Sequence, residues 1–208
     1  MKQILSISLC AATAAILLLS GCADPKITRT GRNAIEQLLL TTAVDRSVAK
    51  MDFRILKDEK VRIDYSNLAT QVDKNYVQAA LETQVSASGA IIALKPEEAK
   101  YILRPVCATL ATEDHQMLLG TPPLPIPLPD ANLSLVIPEL PFFKRTTRNG
   151  ICKLAVDILE AKTNKYVRAV GPVISSSVNT NWVVLFLPFT TRDFKMGESG
   201  PTEVYWFE

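Results

Sequence analysis

Apolar residues recur at intervals of three and four between Arg32 and Met51, which predicts an amphipathic helix over this range. Its apolar positions are Ile35, Leu38, Leu39, Ala43, Val48 and Met51. The other side of the helix carries Arg32, Glu36, Asp45, Arg46 and Lys50. We therefore expect this helix to pack against the core of a folded domain, with Thr28 or Thr30 as its N-cap. Partner binding by the helix is the alternative.

The pattern changes to strict alternation at residues 60–65, KVRIDY, which predicts a strand. A second helical pattern follows, with Asp73 as the candidate N-cap and Gly89 at the position where helices commonly end. The next five residues, Ala90 to Leu94, are all apolar, as is typical of a short and fully buried strand. A strand, a helix and a strand in this order predict a βαβ unit with parallel strands and a right-handed crossover.

Two further elements are predicted before the middle of the chain. Pro96 and the acidic residues after it are typical of a single helical turn over Lys95 to Ala99. A third strand is predicted over Tyr101 to Thr112, and Pro105 within it indicates an edge position or a bulge.

The strand pattern returns at Ile151, and residues 162–165 read as a hairpin connection to a strand over Tyr166 to Ser177. The apolar run Asn181 to Thr190 predicts one more strand, inside the sheet as far as Pro188. Together these elements predict an α/β (α+β) fold with a mixed β-sheet and two principal amphipathic helices in one domain over residues 31–208.

Residues 113–150 interrupt this pattern with a proline-rich insertion. Five prolines between positions 122 and 129 leave few backbone donors and favour extended, irregular backbone. A loop of this length is often functional, but packing of the insertion into the core is an equal alternative. Its apolar candidates for partner binding are Leu124, Ile126, Leu128, Phe142 and Phe143.

The first 21 residues have the pattern of an export signal. Lys2 precedes an uncharged apolar run from Ile4 to Leu19, and Leu19-Ser20-Gly21-Cys22 ends the run. This ending resembles the lipobox of bacterial lipoprotein precursors, as found in uncharacterised proteobacterial lipoproteins of this length. The resemblance implies cleavage before Cys22, acylation of Cys22 by diacylglycerol and palmitate, and a lipidated tether over residues 22–30. A membrane-spanning segment is the alternative, but the run is shorter than the roughly 20 residues that a helix needs.

The residue after Cys22 is Ala23, whereas aspartate at this position commonly marks lipoproteins for the inner membrane. The resemblance therefore implies the cell outer membrane, at its periplasmic face. The formal net charge of the chain is only +2, so nucleic acid is not an expected partner.

Two of the four cysteines, Cys10 in the signal and Cys22 at the lipid site, are accounted for by this interpretation. An even pair remains, Cys107 and Cys152, and in an exported chain such a pair predicts a disulfide. Two buried thiols are the alternative.

No residue pattern indicates catalysis. The one histidine, His115, is predicted to lie in a polar loop and to be solvated. Neither Cys107 nor Cys152 belongs to a CxxC pair, and Ser86-Ala87-Ser88-Gly89 lacks the first glycine of a nucleophile elbow. We predict no enzyme activity, no metal site and no cofactor.

Several segments between residues 60 and 180 resemble the α/β lipoprotein domain of the curli-secretion channel family. They are KVRID, EAKYILRP and LAVDILEAKTNKYV, in which Ala99 to Leu103, Val156, Asp157, Thr163 and Asn164 match the strand and hairpin motifs of that family. These motifs imply structure and not chemistry. The helix beside the tether and the proline-rich insertion depart from the family pattern, so pore formation is not implied.

The sequence thus predicts an outer-membrane-anchored lipoprotein with a structural, assembly or protein-interaction role in the cell envelope. Its expected partners are the membrane, through Cys22, and an envelope protein or further copies of itself. The alternatives are a ring-forming subunit of a secretion or transport channel and a carrier of an apolar or lipidic ligand.

Overall fold

A computed structural model describes residues 32–68, 73–127 and 134–195 of the chain. It contains two helices, α1 (Ala34–Ala49) and α2 (Lys74–Ala87). The strands are β1 (Lys60–Ile63), β2 (Ile91–Ile92), β3 (Tyr101–Thr121), β4 (Leu124–Pro127), β5 (Ser134–Ile137), β6 (Leu140–Glu160), β7 (Tyr166–Val184) and β8 (Leu187–Arg192).

Both predicted helices are confirmed, but the capping of their N-termini differs from the prediction. Asn33 caps α1, because its side-chain oxygen accepts from the backbone N–H of Glu36 at 2.8 Å. Thr28 and Thr30 lie outside the described residues. Asp73 is the N-cap residue of α2 but makes no side-chain capping bond. Its carboxylate instead pairs with the Arg32 guanidinium at 2.9 Å, which ties the start of α1 to the start of α2.

The main sheet has six strands in the order β2-β1-β3-β6-β7-β8. β1 is parallel to both β2 and β3, and the remaining pairs are antiparallel, which confirms the mixed sheet and the α/β class. β2 forms an edge of this sheet, so Ile91 and Ile92 are 51% and 37% exposed. The prediction of a fully buried strand there was wrong because an edge strand has no neighbour on its outer side.

The core lies between the helices and one face of the sheet. Alternate side chains of β6 are buried as far as Ile158, and they meet the apolar stripes of both helices. Two buried polar contacts help to hold α1 to the strands: the Ser177 hydroxyl donates to the carbonyl of Leu39 at 2.6 Å, and the Ser47 hydroxyl donates to the carbonyl of Cys152 at 3.3 Å. Gly150 permits the approach, since a Cβ at this position would lie 2.6 Å from the Leu39 backbone.

Three strands continue well beyond this core. β3 and β6 each have 21 residues, and they pair from Tyr101 with Glu160 as far as Thr121 with Leu140. Most of the segment 113–150, predicted as an irregular insertion, is therefore strand. At its far end, β4 and β5 form a separate two-stranded sheet. Prolines remain compatible with this arrangement because β4 pairs on one side only, with β5.

Pro105 lies inside β3, just past the residues that pair with β1. That pairing ends at Leu103, so β3 is locally an edge strand at Pro105, as predicted. The register of β3 also shifts between Cys107 and Thr109.

The run Asn181 to Thr190 is two strands and a turn, not one interior strand. β7 ends at Val184, Leu185 and Phe186 form the turn, and β8 begins at Leu187 as the other edge of the sheet. The prediction failed because neither Leu nor Phe is a turn-forming residue. Pro188 is tolerated because β8 is an edge strand.

Candidate functional site

The exposed large apolar side chains concentrate at the end of the sheet that the helices do not cover. Pairing of Leu119 with Phe143, and of Phe143 with Val184, brings β3, β6 and β7 to the same level there. We call this surface the apolar end. Its exposed members are Met117, Leu119, Leu124, Ile126, Val136, Ile137, Leu140, Phe142, Leu185, Phe186, Leu187 and Phe189.

The structure places most of the predicted partner-binding residues at the apolar end. Leu124, Ile126 and Phe142 are 49%, 38% and 55% exposed. Phe143 is half-buried, and Leu128 lies outside the described residues. These exposures oppose the alternative that the proline-rich insertion packs into the core. The structure therefore brings three of the five candidates together on one open surface.

The β7–β8 turn is the outermost part of these two strands, and sequence reasoning missed it. Leu185 and Phe186 have φ angles of 49° and 68°, the left-handed region that two-residue hairpin turns of type I′ require. The backbone N–H of Leu185 donates to the carbonyl of Phe142 at 2.8 Å. The rings of Phe142 and Phe186 also meet, with centroids 5.7 Å apart. The turn is thus fixed to β6 by both backbone and side chain.

An aromatic cluster lies behind the turn on one face of the sheet. Trp182 stacks on Phe189 at 5.9 Å with an angle of 8° between the rings, and it meets Phe143 edge-on at 6.0 Å. The guanidinium of Arg145 lies 5.0 Å from the centre of the Trp182 ring, within the range of a cation–π contact. We call Phe143, Arg145, Trp182 and Phe189 the aromatic collar. Only the register of β6, β7 and β8 reveals it, since these residues are far apart in sequence.

Polar side chains occupy the sheet between the aromatic collar and the core. The hydroxyls of Thr147 and Thr180 are buried and lie 3.3 Å apart. On the other face, Asn179 accepts from the Arg192 guanidinium at 2.8 Å, and Asn181 accepts from the Thr190 hydroxyl at 3.0 Å. These cross-strand bonds tie β8 to β7, so the sheet stays ordered where no helix supports it.

His115 lies on β3 in this polar part, not in a loop. Its imidazole is exposed, as predicted, and its Nε2 is 3.4 Å from a carboxylate oxygen of Glu113. It borders an open depression that Arg145, Thr147, Asn149 and other side chains also line. Across the described ranges, no three His, Cys, Asp or Glu side chains come close enough together to hold a metal ion.

Cys107 and Cys152 lie on the paired strands β3 and β6, beside the register shift. Cys152 is opposite Leu110, and Cys107 is opposite Leu154. Both cysteines are buried and in the thiol form, and their side chains are in hydrogen-bond contact. That contact and burial raise the pKa of the Cys107 thiol. The two sulfurs are thus close together, and the disulfide itself stays a prediction.

The predicted lipid site, Cys22, lies outside the described residues. Within residues 32–68, 73–127 and 134–195, neither helix has the length and hydropathy that crossing a bilayer requires.

Residues 15–198 match the model of a family described as a family of unknown function, DUF6655. A search of curated proteins finds no match to the chain.

Proposed function

Since the chain belongs to the DUF6655 family, whose function is unknown, we propose from its own residues that it is a non-enzymatic, lipid-anchored component of the bacterial envelope. In this proposal Cys22 carries the lipid in the outer membrane, and the folded domain lies at the periplasmic face. The domain acts by binding another envelope component through its apolar end, in a structural or assembly role.

The observation that carries the proposal is the exposure of the apolar end. Large apolar patches on a water-exposed surface commonly mark sites that bind a protein or a membrane. The ionisable side chains described at this end are already partnered: Lys144 pairs with Glu139, and Arg145 lies over Trp182. This chemistry favours binding over acid–base catalysis.

The N-terminal sequence supports the anchor. Cys22 ends a lipobox, and the chain enters α1 about ten residues later. An extended tether of that length reaches about 33 Å at most, so the domain would stay close to its membrane.

A ring-forming subunit of a secretion channel is the second candidate. The long hairpins β3–β6 and β7–β8 favour it, because both extend beyond the core and lie side by side. On this alternative the detergent-extracted protein would run as a large symmetric oligomer.

Crosslinking in intact cells tests the proposed function. A photoreactive residue replaces Ile126 at the apolar end, and a matched one replaces Lys162, which is exposed at the opposite end of the sheet. We expect capture of a specific envelope component from position 126 and not from position 162. Crosslinks that stay within the same chain would contradict the proposal.

Two sets of variants complete this test. Cys22→Ala should abolish both the incorporation of labelled palmitate and the cleavage that removes the signal segment. Leu124→Ser together with Phe142→Ser should abolish the capture from position 126 while the free energy of unfolding falls by about 1.5 kcal/mol or less, because both side chains are about half exposed and the Phe142–Phe186 ring contact is worth about 0.5–1.5 kcal/mol. A large loss of stability would show that these residues belong to the fold and not to a binding surface.

A further inference from the structure

We infer that the apolar end binds the lipid bilayer itself, by entering the interface of the membrane that holds the lipid anchor. The protein would then be attached to one membrane at two points, its acyl chains and the end of its sheet. This inference rests on the proposed function for the anchor at Cys22, and it names the first partner of the apolar end.

The composition of the β7–β8 turn points to a nonaqueous neighbour. Leu185 and Phe186 are 68% and 56% exposed, so the turn places two large apolar side chains at its outermost positions. Both residues have positive φ, where Asn and Gly are the preferred turn residues. The chain follows that preference at the other end of the sheet, where Asn164 has a φ of 54°. Leu185 and Phe186 are therefore unfavourable residues for this backbone conformation. A contact with lipid would explain why apolar side chains occupy these two positions.

The exposed apolar side chains of this end belong to several strands and to one turn. They come from β3, β4, β5, β6 and β8 and from the β7–β8 turn. A bilayer interface accepts the whole end at once, because it surrounds whatever enters it.

The distribution of charged residues along the strands is compatible with entry of this end into a bilayer interface. Residues 181–191 contain no Asp, Glu, Lys, Arg or His. In residues 117–143 the only charged residues are Glu139 and Asp130, and Asp130 lies outside the described residues. Glu139 pairs with Lys144, which reduces the cost of placing its charge in an interface.

The aromatic collar lies where the headgroups would be. Trp182 is three residues before Leu185, which corresponds to about 10 Å along a strand. Interfacial segments commonly enter a bilayer to about 5–10 Å, with Trp at the headgroup level. Arg145 lies over this ring, so positive charge is placed where anionic headgroups attract it.

The tether is long enough for both attachments. The Ser177 hydroxyl bonds to Leu39, and a Cβ on Gly150 would touch the same residue, so the N-terminal half of α1 lies at the border between the core and the uncovered strands. From Gly150 to Phe142 the strand extends about 26 Å. Residues 22–31 span up to about 33 Å, so the anchor and the apolar end can reach the same membrane surface.

Trp182 supplies a native probe for the test. The chain has two tryptophans, and Trp206→Phe leaves Trp182 alone. The full lipidated chain is reconstituted into vesicles of phosphatidylethanolamine and phosphatidylglycerol, with and without bromine on the acyl chains near the headgroups. We expect the brominated lipid to quench most of the Trp182 emission, and the emission maximum to shift to shorter wavelength relative to the detergent-free buffer state.

A matched variant carries Leu185→Asn and Phe186→Gly in the same Trp206→Phe background. This pair suits a type I′ turn, so the hairpin should remain folded while its apolar side chains are lost. We expect the variant to float with the vesicles through its lipid anchor and to lose most of the quenching. Circular dichroism and thermal unfolding of the two chains confirm that the fold is kept.

The outcomes separate this inference from the proposed function. If the chain carries lipid and floats but Trp182 is not quenched, the anchor stands and the bilayer contact of the apolar end is overturned. Equal quenching of the parent and the Asn–Gly variant overturns it too, as does exclusive capture of a protein from position 126 in cells. A chain from cells that carries no lipid on Cys22 would overturn the proposed anchor and, with it, the two-point attachment.

Discussion

Leu185 and Phe186 hold backbone angles that cost an ordinary residue about 1–2 kcal/mol each. Local strain of this kind persists only where the surrounding structure imposes it, and it often coincides with functional positions. Here the pairing of Val184 with Leu187 and the bond from Leu185 N–H to the Phe142 carbonyl impose it. The protein thus keeps an unfavourable backbone conformation at a turn where two apolar side chains face solvent.

The double substitution of Leu185→Asn and Phe186→Gly should therefore raise the free energy of unfolding by about 1–2 kcal/mol, because the new residues adopt positive φ at little cost and the lost Phe142–Phe186 ring contact offsets part of this gain. Denaturant unfolding of the parent and the variant measures the difference. Asn164→Leu is the matched control at the other end of the sheet, and we expect it to lower stability by a similar amount. A loss of stability in the double variant would mean that the Phe142–Phe186 contact outweighs the strain.

At the scale of the elements, the patterned parts of the sequence were predictable and the uncovered strands were not. Both helices and β1 follow from apolar periodicity, because each buries one face against the core. The outer half of β3 reads ATEDHQML, without a buried face, since no helix covers it. Its strand structure comes from pairing with β6, which a single segment does not reveal.

The candidate site divides in the same way. Leu124, Ile126 and Phe142 were predictable because apolar residues in a proline-rich segment stand out. The aromatic collar was not, since Trp182 meets Phe143 and Phe189 through the registers of three strands. The two-residue turn gave no signal, because Leu and Phe replace the Asn and Gly that normally mark one.

The pairing of β3 with β6 places Cys107 beside Cys152, so oxidation would join these strands across a loop of some 45 residues. In the chain-entropy account such a bond stabilises a protein by about 4 kcal/mol at most, since strain reduces the value. We predict that the protein contains this disulfide if it is exported as proposed, and that reduction lowers the free energy of unfolding by up to that amount. Alkylation of the unfolded protein, with and without reductant, followed by mass spectrometry, measures the bond.

The variants Cys107→Ser and Cys152→Ser serve as controls for this prediction. Each should unfold at the same denaturant concentration with and without reductant. Alkylation of both thiols in the untreated, exported protein would contradict the disulfide.

Asp193 joins β8 to the helical layer. One carboxylate oxygen accepts from the backbone N–H of Val178 at 2.8 Å, and the other accepts from Arg46 of α1 at 2.6 Å. Asp193→Ala should cost about 1–2 kcal/mol, because a charge-assisted contact and a backbone bond are lost together. Relative to the parent, the variant should show faster hydrogen exchange in β8, with little change in β6.

Asp52→Ala is the control for this prediction. Asp52 pairs with Arg54 two residues away, and the pair is largely exposed. Its loss should leave hydrogen exchange in β8 unchanged. Equal effects of the two variants would mean that Asp193 has no special role in holding β8.

At the scale of the whole molecule, one strand joins the two parts that differ most in chemistry. β6 runs without interruption from Glu160, beside the helix-covered core, to Leu140 at the apolar end. Its 21 residues correspond to about 70 Å of extended chain. β3 and β7 flank β6 through most of that distance, so the core and the apolar end are parts of one hydrogen-bonded sheet.

Such a sheet acts as a spacer of fixed length. If its apolar end rests in a membrane, the helices stand at a constant height above the lipid, and the length of residues 22–31 no longer sets that distance. A pull on the core would load many hydrogen bonds of β3, β6 and β7 together, in shear along the strands. The uncovered strands would therefore transmit force between the membrane and the folded core as a stiff beam.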